Sequence, residues 1–154
     1  MYSSFDEIKQ DIDQDLLIQL TNDENRTMEE ISLSDPEDPI IKRVNNAVKD
    51  ADDEIDSYLR SRYTLPLTSV PNRVKKFSRS IAVYNLYKRR HILEMPESLV
   101  TDYKLTVKDL LSIQKGFIQL EIDKISDTPG QGVEIRVNKT QEDRIFSKDV
   151  LSRF

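Results

Sequence analysis

The chain has 154 residues, a formal net charge of −5, 37% hydrophobic and 33% charged residues, which is typical of one domain with a highly charged surface. It contains no cysteine, which excludes disulfides, thiolate metal sites and a cysteine nucleophile. The N-terminus has neither the basic nor the apolar region of a signal peptide, and no apolar run is long enough to span a bilayer. We therefore expect a protein that is made and used in soluble form, with no membrane partner.

Two short helices are predicted at the N-terminus, the first begun by a capping-box pattern at Ser4 and Glu7 and the second capped by Asp13. Residues 22–39 are polar, acidic and punctuated by proline, which predicts a loop with one helical turn at Met28–Ile31. Up to the end of this loop there are twelve acidic residues and two basic ones, so the rest of the chain is basic by five charges. This asymmetry indicates contacts between unlike faces, within one molecule or between neighbouring copies.

The central element is a helix predicted at residues 40–63, where apolar residues recur at alternating steps of three and four. Pro39 suits its first turn, and Pro66 prevents its continuation. The apolar stripe comprises Ile41, Val44, Val48, Ala51, Ile55 and Tyr58, widened by Leu59. The opposite face is expected to be charged and comprises Lys42, Lys49, Asp50, Asp52, Asp53, Asp56 and Arg60.

Two further helices are predicted, one at residues 71–93 and one from Pro96 to a C-terminal cap at Gly116. The first is expected to bury Val74, Phe77, Ile81, Tyr84, Leu86 and Tyr87. Its outer face carries only basic charges, from Arg73, Lys75, Lys76, Arg79, Lys88, Arg89 and Arg90. The second is expected to bury Leu99, Val100, Tyr103, Val107, Leu110 and Leu111.

In the C-terminal part, the spacing of apolar residues no longer follows the helical period. Residues 117–122 fit either a short extended segment or a last helical turn. Residues 133–137 alternate at the strand period, residues 144–146 can supply the returning strand of a hairpin, and Ser147 can cap a short terminal helix. Because a lone hairpin is marginally stable in water, we expect this arm to dock on a partner.

The predicted fold class is therefore mainly α. We expect a small bundle of about four helices around the long central helix, with a C-terminal β-hairpin or extended arm. The helical domain is predicted at residues 1–121, including the acidic loop 22–39, and the arm at residues 122–154.

An acidic run from Asp52 to Asp56 is the strongest candidate for metal chemistry. It matches the DDxxD pattern by which isoprenyl diphosphate synthases hold magnesium, with Asp52 and Asp56 one helical turn apart. Such an enzyme needs a second acidic motif and a larger bundle, which this chain lacks, so we interpret the run as a solvated or partner-facing helix side. His91, the only histidine, has no partner carboxylate of obvious placement. We therefore predict no catalytic residue, metal or cofactor, and no enzyme activity.

The basic face of the 71–93 helix is the strongest charge signal. It can contact nucleic-acid phosphates, pair with the acidic face of a neighbouring copy, or remain solvated. A helix-turn-helix is disfavoured by the long connector at residues 64–70, and no aromatic residue interleaves with the exposed basic ones. We favour pairing between copies and keep a DNA-binding module as the alternative.

Several segments together resemble one family. The most specific is YLRSRYTLPL at residues 58–67, followed by Val70-Pro71. The others are LLIQLT at 16–21, IAVYNLY at 81–87, GFIQL at 116–120 and RIFSKDVL at 144–151. In this order they look like the Mu-like prophage proteins that group with tailed-phage head–tail connector (adaptor) proteins.

The resemblance implies a structural component of the virion neck, at the head–tail junction, that is present in the host cytoplasm during assembly. Such adaptors form a ring, usually of about twelve copies, under the portal protein. The ring extends the channel for genomic DNA and offers a platform to the next neck (stopper) or tail protein. The C-terminal arm commonly reaches the portal. The arm residues that we expect to dock there are Val133, Ile135, Val137, Ile145, Phe146, Val150, Leu151 and Phe154.

A ring also gives the unlike charges a role, because each copy shows one face to a different face of its neighbour. We expect the acidic side of the central helix to approach the basic helix of the next copy. The residues expected at this contact are Asp52, Asp53, Asp56, Arg73, Lys76 and Arg79. An acidic lumen would also avoid gripping the DNA that passes through it.

Overall fold

The computed structural model describes residues 1–90 and 94–122. Five α-helices lie in these ranges: α1 (Phe5–Asp11), α2 (Gln14–Thr21), α3 (Pro39–Leu59), α4 (Asn72–Arg89) and α5 (Glu97–Gln114), with a 3₁₀ turn at Met28–Glu30. The mainly α prediction is confirmed, and the described residues contain no strand.

Some predictions lie outside the described residues. They concern His91, the C-terminal hairpin and the short terminal helix. They also concern the docking residues Val133, Ile135, Val137, Ile145, Phe146, Val150, Leu151 and Phe154. The division of the chain into a helical domain and an arm therefore stays a prediction.

Helix α3 is the centre of the fold and begins as its sequence predicts. The Asp38 side chain accepts a hydrogen bond from the Ile40 N–H at 2.8 Å, and Pro39 occupies the first turn. The predicted apolar stripe is buried, apart from Tyr58, which is half-buried. The start and the inward face of this helix could therefore be read from local sequence.

The C-terminal ends of α3 and α4 come earlier than predicted. Helix α3 ends at Leu59, where a 3₁₀-type bond at 2.9 Å runs from the Arg62 N–H to the Leu59 carbonyl and tightens the chain. The next side chain, Tyr63, then enters the core and is 1% exposed. Helix α4 ends at Arg89 because Arg90 adopts an extended backbone conformation.

One core joins all five helices. Helix α3 packs against α4 and α5, while α1 and α2 each pack against both α3 and α4. Tyr63 and Leu120 add side chains from the segments that follow α3 and α5. Each fully buried aliphatic side chain contributes roughly 2 kcal/mol to the free energy of folding. Since all five helices share these side chains, the core fixes their relative positions.

Helix α5 buries a narrower stripe than predicted. Thr106, Leu110 and Ile113 are buried, whereas the expectation that Leu111 points inward is wrong, since this side chain is 38% exposed. Apolar side chains on α5 extend well beyond one stripe, so periodicity did not single out the contact face. The rest of the predicted inward set is half-buried, apart from Leu110: Leu99, Val100, Tyr103 and Val107.

The predicted cap at Gly116 is confirmed and has the geometry of a Schellman motif. Gly116 has a φ of 84°, its N–H donates to the Ile113 carbonyl at 3.0 Å, and the Phe117 N–H donates to the Ser112 carbonyl at 2.9 Å. Residues 117–122 form neither a strand nor a helical turn. They are fastened to the core where the Leu120 N–H donates to the hydroxyl oxygen of Tyr63 at 2.9 Å.

Candidate interaction surfaces

A buried polar cluster fastens the N-terminus to α3 and α4. The two carboxylate oxygens of Asp52 accept hydrogen bonds from the Tyr2 N–H and the Ser78 hydroxyl, each at 2.7 Å. The hydroxyls of Ser3 and Ser78 are 2.8 Å apart, and the Tyr2 hydroxyl donates to Asp56. Asp52 is 8% exposed, so its partners replace the water that it loses.

Burial shifts the pKa values of two residues in this cluster. Burial raises the pKa of Asp52, while the two hydrogen bonds and the N-terminal ammonium, whose nitrogen is 3.9 Å from the Asp52 carboxylate, oppose the rise. Burial and the neighbouring carboxylate of Asp56 raise the pKa of Tyr2. Both oxygens of Asp52 already have donors, and within the described ranges no group of acidic or histidine side chains is arranged to hold a metal.

The placement of Asp52 on the outer charged face of α3 is wrong. Asp52 falls at helical spacing with Val48, Ile55 and Leu59, and this spacing turns its side chain toward the core. Asp56 is half-buried beneath Tyr2, whereas Asp53 is exposed. Of the three acidic residues expected at a subunit contact, Asp53 is therefore the one that remains open to a partner.

The basic side chains of α4 pair largely with acidic residues of the same chain. The pairs are Arg73 with Asp109 at 2.9 Å, Lys75 with Glu7 at 3.7 Å, Arg79 with Asp11 at 2.9 Å, and Arg89 and Arg90 with Asp23 at 2.6 and 3.0 Å. Lys76 and Lys88 are exposed and make no ion pair with any described residue. The unlike charges of the sequence thus pair mainly within one molecule.

Asp23 is the hub of these ion pairs at the C-terminal end of α4. Hydrogen bonds from Arg89, assisted by Arg90 and the charge of Arg43, lower the pKa of Asp23 to about 2. The Nε of Arg43, on α3, lies 3.1 Å from the same carboxylate. Arg89 and Arg90 also donate at 2.6 Å to two backbone carbonyls around the end of α2. The start of the acidic loop is therefore fastened to both α3 and α4.

The other end of the acidic loop is closed by Arg26 and Asp38. Two nitrogens of Arg26 donate to the two Asp38 oxygens at 3.1 and 2.7 Å, and the Ser32 and Ile40 N–H groups donate to the same carboxylate. These donors, led by Arg26, hold the pKa of Asp38 well below its usual range. The loop that was predicted from polar composition is therefore pinned to the start of α3.

A basic surface on α5 was not singled out by the sequence patterns. Lys104, Lys108, Leu111 and Lys115 recur at steps of four, three and four, and all are exposed. The exposed Phe117 follows the helix, with 83% of its surface accessible. We call these five residues the basic patch. None of its lysines makes an ion pair with a described residue. Their helical spacing is visible in the sequence, but the larger number of basic residues on α4 drew the prediction there instead.

A second surface lies on the 3₁₀ turn of the loop and consists of Met28, Glu29 and Glu30. All three side chains are exposed, and Met28 has 59% of its surface accessible. Glu30 accepts a hydrogen bond from the Thr27 N–H at 2.8 Å, whereas Glu29 makes no ion pair with a described residue. We call these three residues the acidic patch.

One described concavity lies between α3 and α4, and a larger one of about 680 Å³ lies beside the N-terminal segment. An open groove of about 560 Å³ between α3 and α4 includes Arg43, Asn46, Asp50, Glu54 and Lys88 in its lining. Such a mixed polar lining does not pair a nucleophile with an oriented base. Over the same described ranges, none of the helices combines the length and the apolar character that crossing a membrane requires.

Comparison with known proteins supplies the family. The model of the family described as Bacteriophage Mu, Gp36 matches residues 2–139. The chain belongs to this family. It is also similar to the Mu-like prophage FluMu protein gp36 of Haemophilus influenzae (strain ATCC 51907 / DSM 11121 / KW20 / Rd), with 35% identity over 86 residues. That match covers 56% of the chain and 58% of the relative, so it spans little more than half of each protein.

The resemblance to Mu-like prophage proteins is therefore confirmed. A chain of the Bacteriophage Mu, Gp36 family is a bacteriophage or prophage protein, and the family supports a role in phage structure or assembly. The buried Asp52 cluster and the ion pairs of α4 belong to the framework of this protein. Among the described residues, its open charged surfaces include the acidic patch, the basic patch, and further exposed residues such as Asp53 and Lys76.

Proposed function

We propose that this protein is a head–tail connector of a tailed phage or prophage. In this proposal several copies form a ring between the portal protein and the next neck or tail protein, and the ring extends the channel for genomic DNA. The observation that carries the proposal is the family match across residues 2–139, which includes α1 to α5 in full. The protein then resides in the virion neck, after assembly in the host cytoplasm.

The described geometry is compatible with a structural role. The core is continuous through five helices, and the buried polar residues Ser3, Asp52 and Ser78 hydrogen-bond to one another within it. Helices that are fixed by such a core present surface side chains in constant positions, which a repeated contact in a ring requires. We therefore propose that function resides in surfaces between proteins and not in a catalytic site.

The alternative of a DNA-binding module loses support from the ion pairs of α4. Five of the seven basic side chains between Arg73 and Arg90 lie within ion-pair distance of carboxylates in the same chain. A phosphate would have to displace those carboxylates, which removes most of the electrostatic gain of binding. A channel protein benefits from this arrangement, because DNA must move past it without being held.

Deletion of the coding region from the phage or prophage that carries it tests the proposal. A connector that joins head and tail should leave DNA-filled heads and free tails when it is missing, and a plasmid copy of the intact chain should restore joined particles. Electron micrographs of negatively stained lysates distinguish these products. Normal numbers of joined particles without this protein would overturn the proposal.

A further inference from the structure

We propose that neighbouring copies meet through the acidic patch of one copy and the basic patch of the next. This inference rests on the proposed connector function and names the surfaces that build its ring. It replaces most of the contact expected from sequence, because Asp52 is buried and both Arg73 and Arg79 have partners within the chain. The occupant of each patch is a second copy of this protein.

The two patches cannot meet within one copy because they lie near opposite ends of α3. The acidic patch follows Arg26, whose side chain is bonded to Asp38 at the start of α3. The basic patch ends beside Gly116, which packs against the guanidinium of Arg62 just beyond the end of α3. A helix of 21 residues is about 30 Å long, at a rise of about 1.5 Å per residue.

The two patches are complementary in both charge and apolar character. The acidic patch places the exposed Met28 beside the carboxylates of Glu29 and Glu30. The basic patch places the exposed Leu111 between lysines at positions 108 and 115. Contact would bury apolar surface at the centre and surround it with opposite charges, which is the usual arrangement of a specific interface.

The position of the patches also fits a ring. A contact between two different surfaces at opposite ends of a molecule is heterologous, so each copy can bind one neighbour at each end. Such a chain of contacts closes into a ring when the rotation between neighbours allows it. A pair of identical surfaces would instead stop at a dimer.

Cysteine cross-linking tests the contact directly, because the natural chain contains no cysteine. Particles are prepared with full-length protein that carries Met28→Cys and Leu111→Cys together, and are then oxidised. A disulfide needs Cα atoms within about 7 Å, so a bond between the two positions forms only between copies. We expect a ladder of linked multimers that collapses to monomer on reduction, since every copy can link to two neighbours.

Matched variants distinguish this contact from others. Each single cysteine variant should give dimers at most, and Lys49→Cys with Leu111→Cys should give no ladder, since Lys49 is exposed outside the acidic patch. A ladder confined to the Met28 and Leu111 pair supports the proposal. Absence of the ladder in particles that contain the variant overturns this surface while the connector function stands. If particles prepared with the natural chain do not contain it, the connector function itself is overturned.

A charge exchange provides a second, independent test. Glu29→Lys and Lys108→Glu should each lower the yield of joined particles about tenfold, because each places like charges opposite one another. The double exchange should restore most of the yield, whereas Lys88→Glu, an exposed change outside both patches, should have little effect. Unchanged yields in both single variants, or failure of the double exchange to restore assembly, would overturn the proposed pairing.

Discussion

At the scale of single residues, Asp52 and Asp53 show how neighbours in one acidic run take opposite roles. Asp52 lies on the buried stripe of α3 and accepts two hydrogen bonds, whereas Asp53 is exposed. The spacing of Asp52 from Val48 and Leu59 was visible in the sequence. Its donors could not be predicted, because the Tyr2 N–H and the Ser78 hydroxyl come from distant parts of the chain.

Replacement of Asp52 tests this assignment. Asp52→Ala should lower the free energy of unfolding by about 2 kcal/mol, since it leaves buried donors on Tyr2 and Ser78 without an acceptor. Asp53→Ala, the neighbouring exposed change, should alter it by less than about 0.5 kcal/mol. Urea unfolding of the two variants, followed by circular dichroism, measures the difference. Equal losses in both variants would show that Asp52 is not a buried acceptor.

The ion pairs of Asp23 predict a dependence of stability on acid. Its pKa is lowered to about 2 in the folded protein, so its contribution is present above its ordinary value near 3.8 and is lost as the pH falls toward 2. After allowance for its partial exposure to solvent, we expect this contribution to be about 1 kcal/mol.

The variant Asp23→Asn isolates that contribution. It should be less stable than the natural chain at pH 6, and the difference should shrink between pH 4 and pH 2.5. Urea titrations at several pH values measure the trend. A difference that stays constant across this range would contradict the role of the Asp23 charge.

At the scale of elements, local sequence accounts for how helices begin better than for how they end. Pro39 and the Asp38 cap mark the start of α3, and Gly116 marks the exit from α5. The end of α3 is followed by Tyr63, which enters the core, and α4 ends at Arg89, which together with Arg90 pairs with Asp23 of the acidic loop. Both ends coincide with tertiary contacts between segments far apart in sequence.

Substitution at Gly116 tests the cap of α5. Gly116→Ala should destabilise the protein by about 1–2 kcal/mol, mainly because the residue has a positive φ of 84°. An added Cβ would also lie 2.5 Å from a nitrogen of the flexible Arg62 side chain, which would have to shift. Thermal unfolding measures the loss.

The double variant with Arg62→Ala separates the two causes of this loss. Relative to Arg62→Ala alone, Gly116→Ala should then cost less than it does in the natural chain, because the collision is gone and the positive φ remains. Unaltered stability of Gly116→Ala itself would contradict the cap geometry.

At the scale of the whole molecule, the acidic N-terminal quarter and the basic α4 neutralise each other. The sequence showed that unlike charges would meet, but it did not decide between contacts inside one copy and contacts between copies. The structure pairs Glu7, Asp11 and Asp23 with α4 and leaves the lysines of α5 unpaired among the described residues. The charged side chains that remain available to partners are therefore those without an ion pair inside the chain, such as the lysines of α5.

This neutralisation predicts weak binding to DNA. The intact protein should not shift a duplex of ordinary sequence at physiological salt, because few cations of α4 are free to replace counterions. Asp11→Asn together with Asp23→Asn, which releases Arg79, Arg89 and Arg90, should increase retention at low salt. Electrophoretic mobility measured over a salt series provides the readout. Tight, salt-sensitive binding by the natural chain would instead favour the DNA-binding function.

The proposed connector function requires a ring of this protein at the head–tail junction. Cryo-electron microscopy of purified particles, focused on the portal vertex, measures this directly. We expect a closed ring of helical subunits between the portal and the tail, into which α3, α4 and α5 fit with the acidic patch of each copy against the basic patch of the next. A portal vertex at which these helices are absent, in particles that join heads to tails, would contradict it.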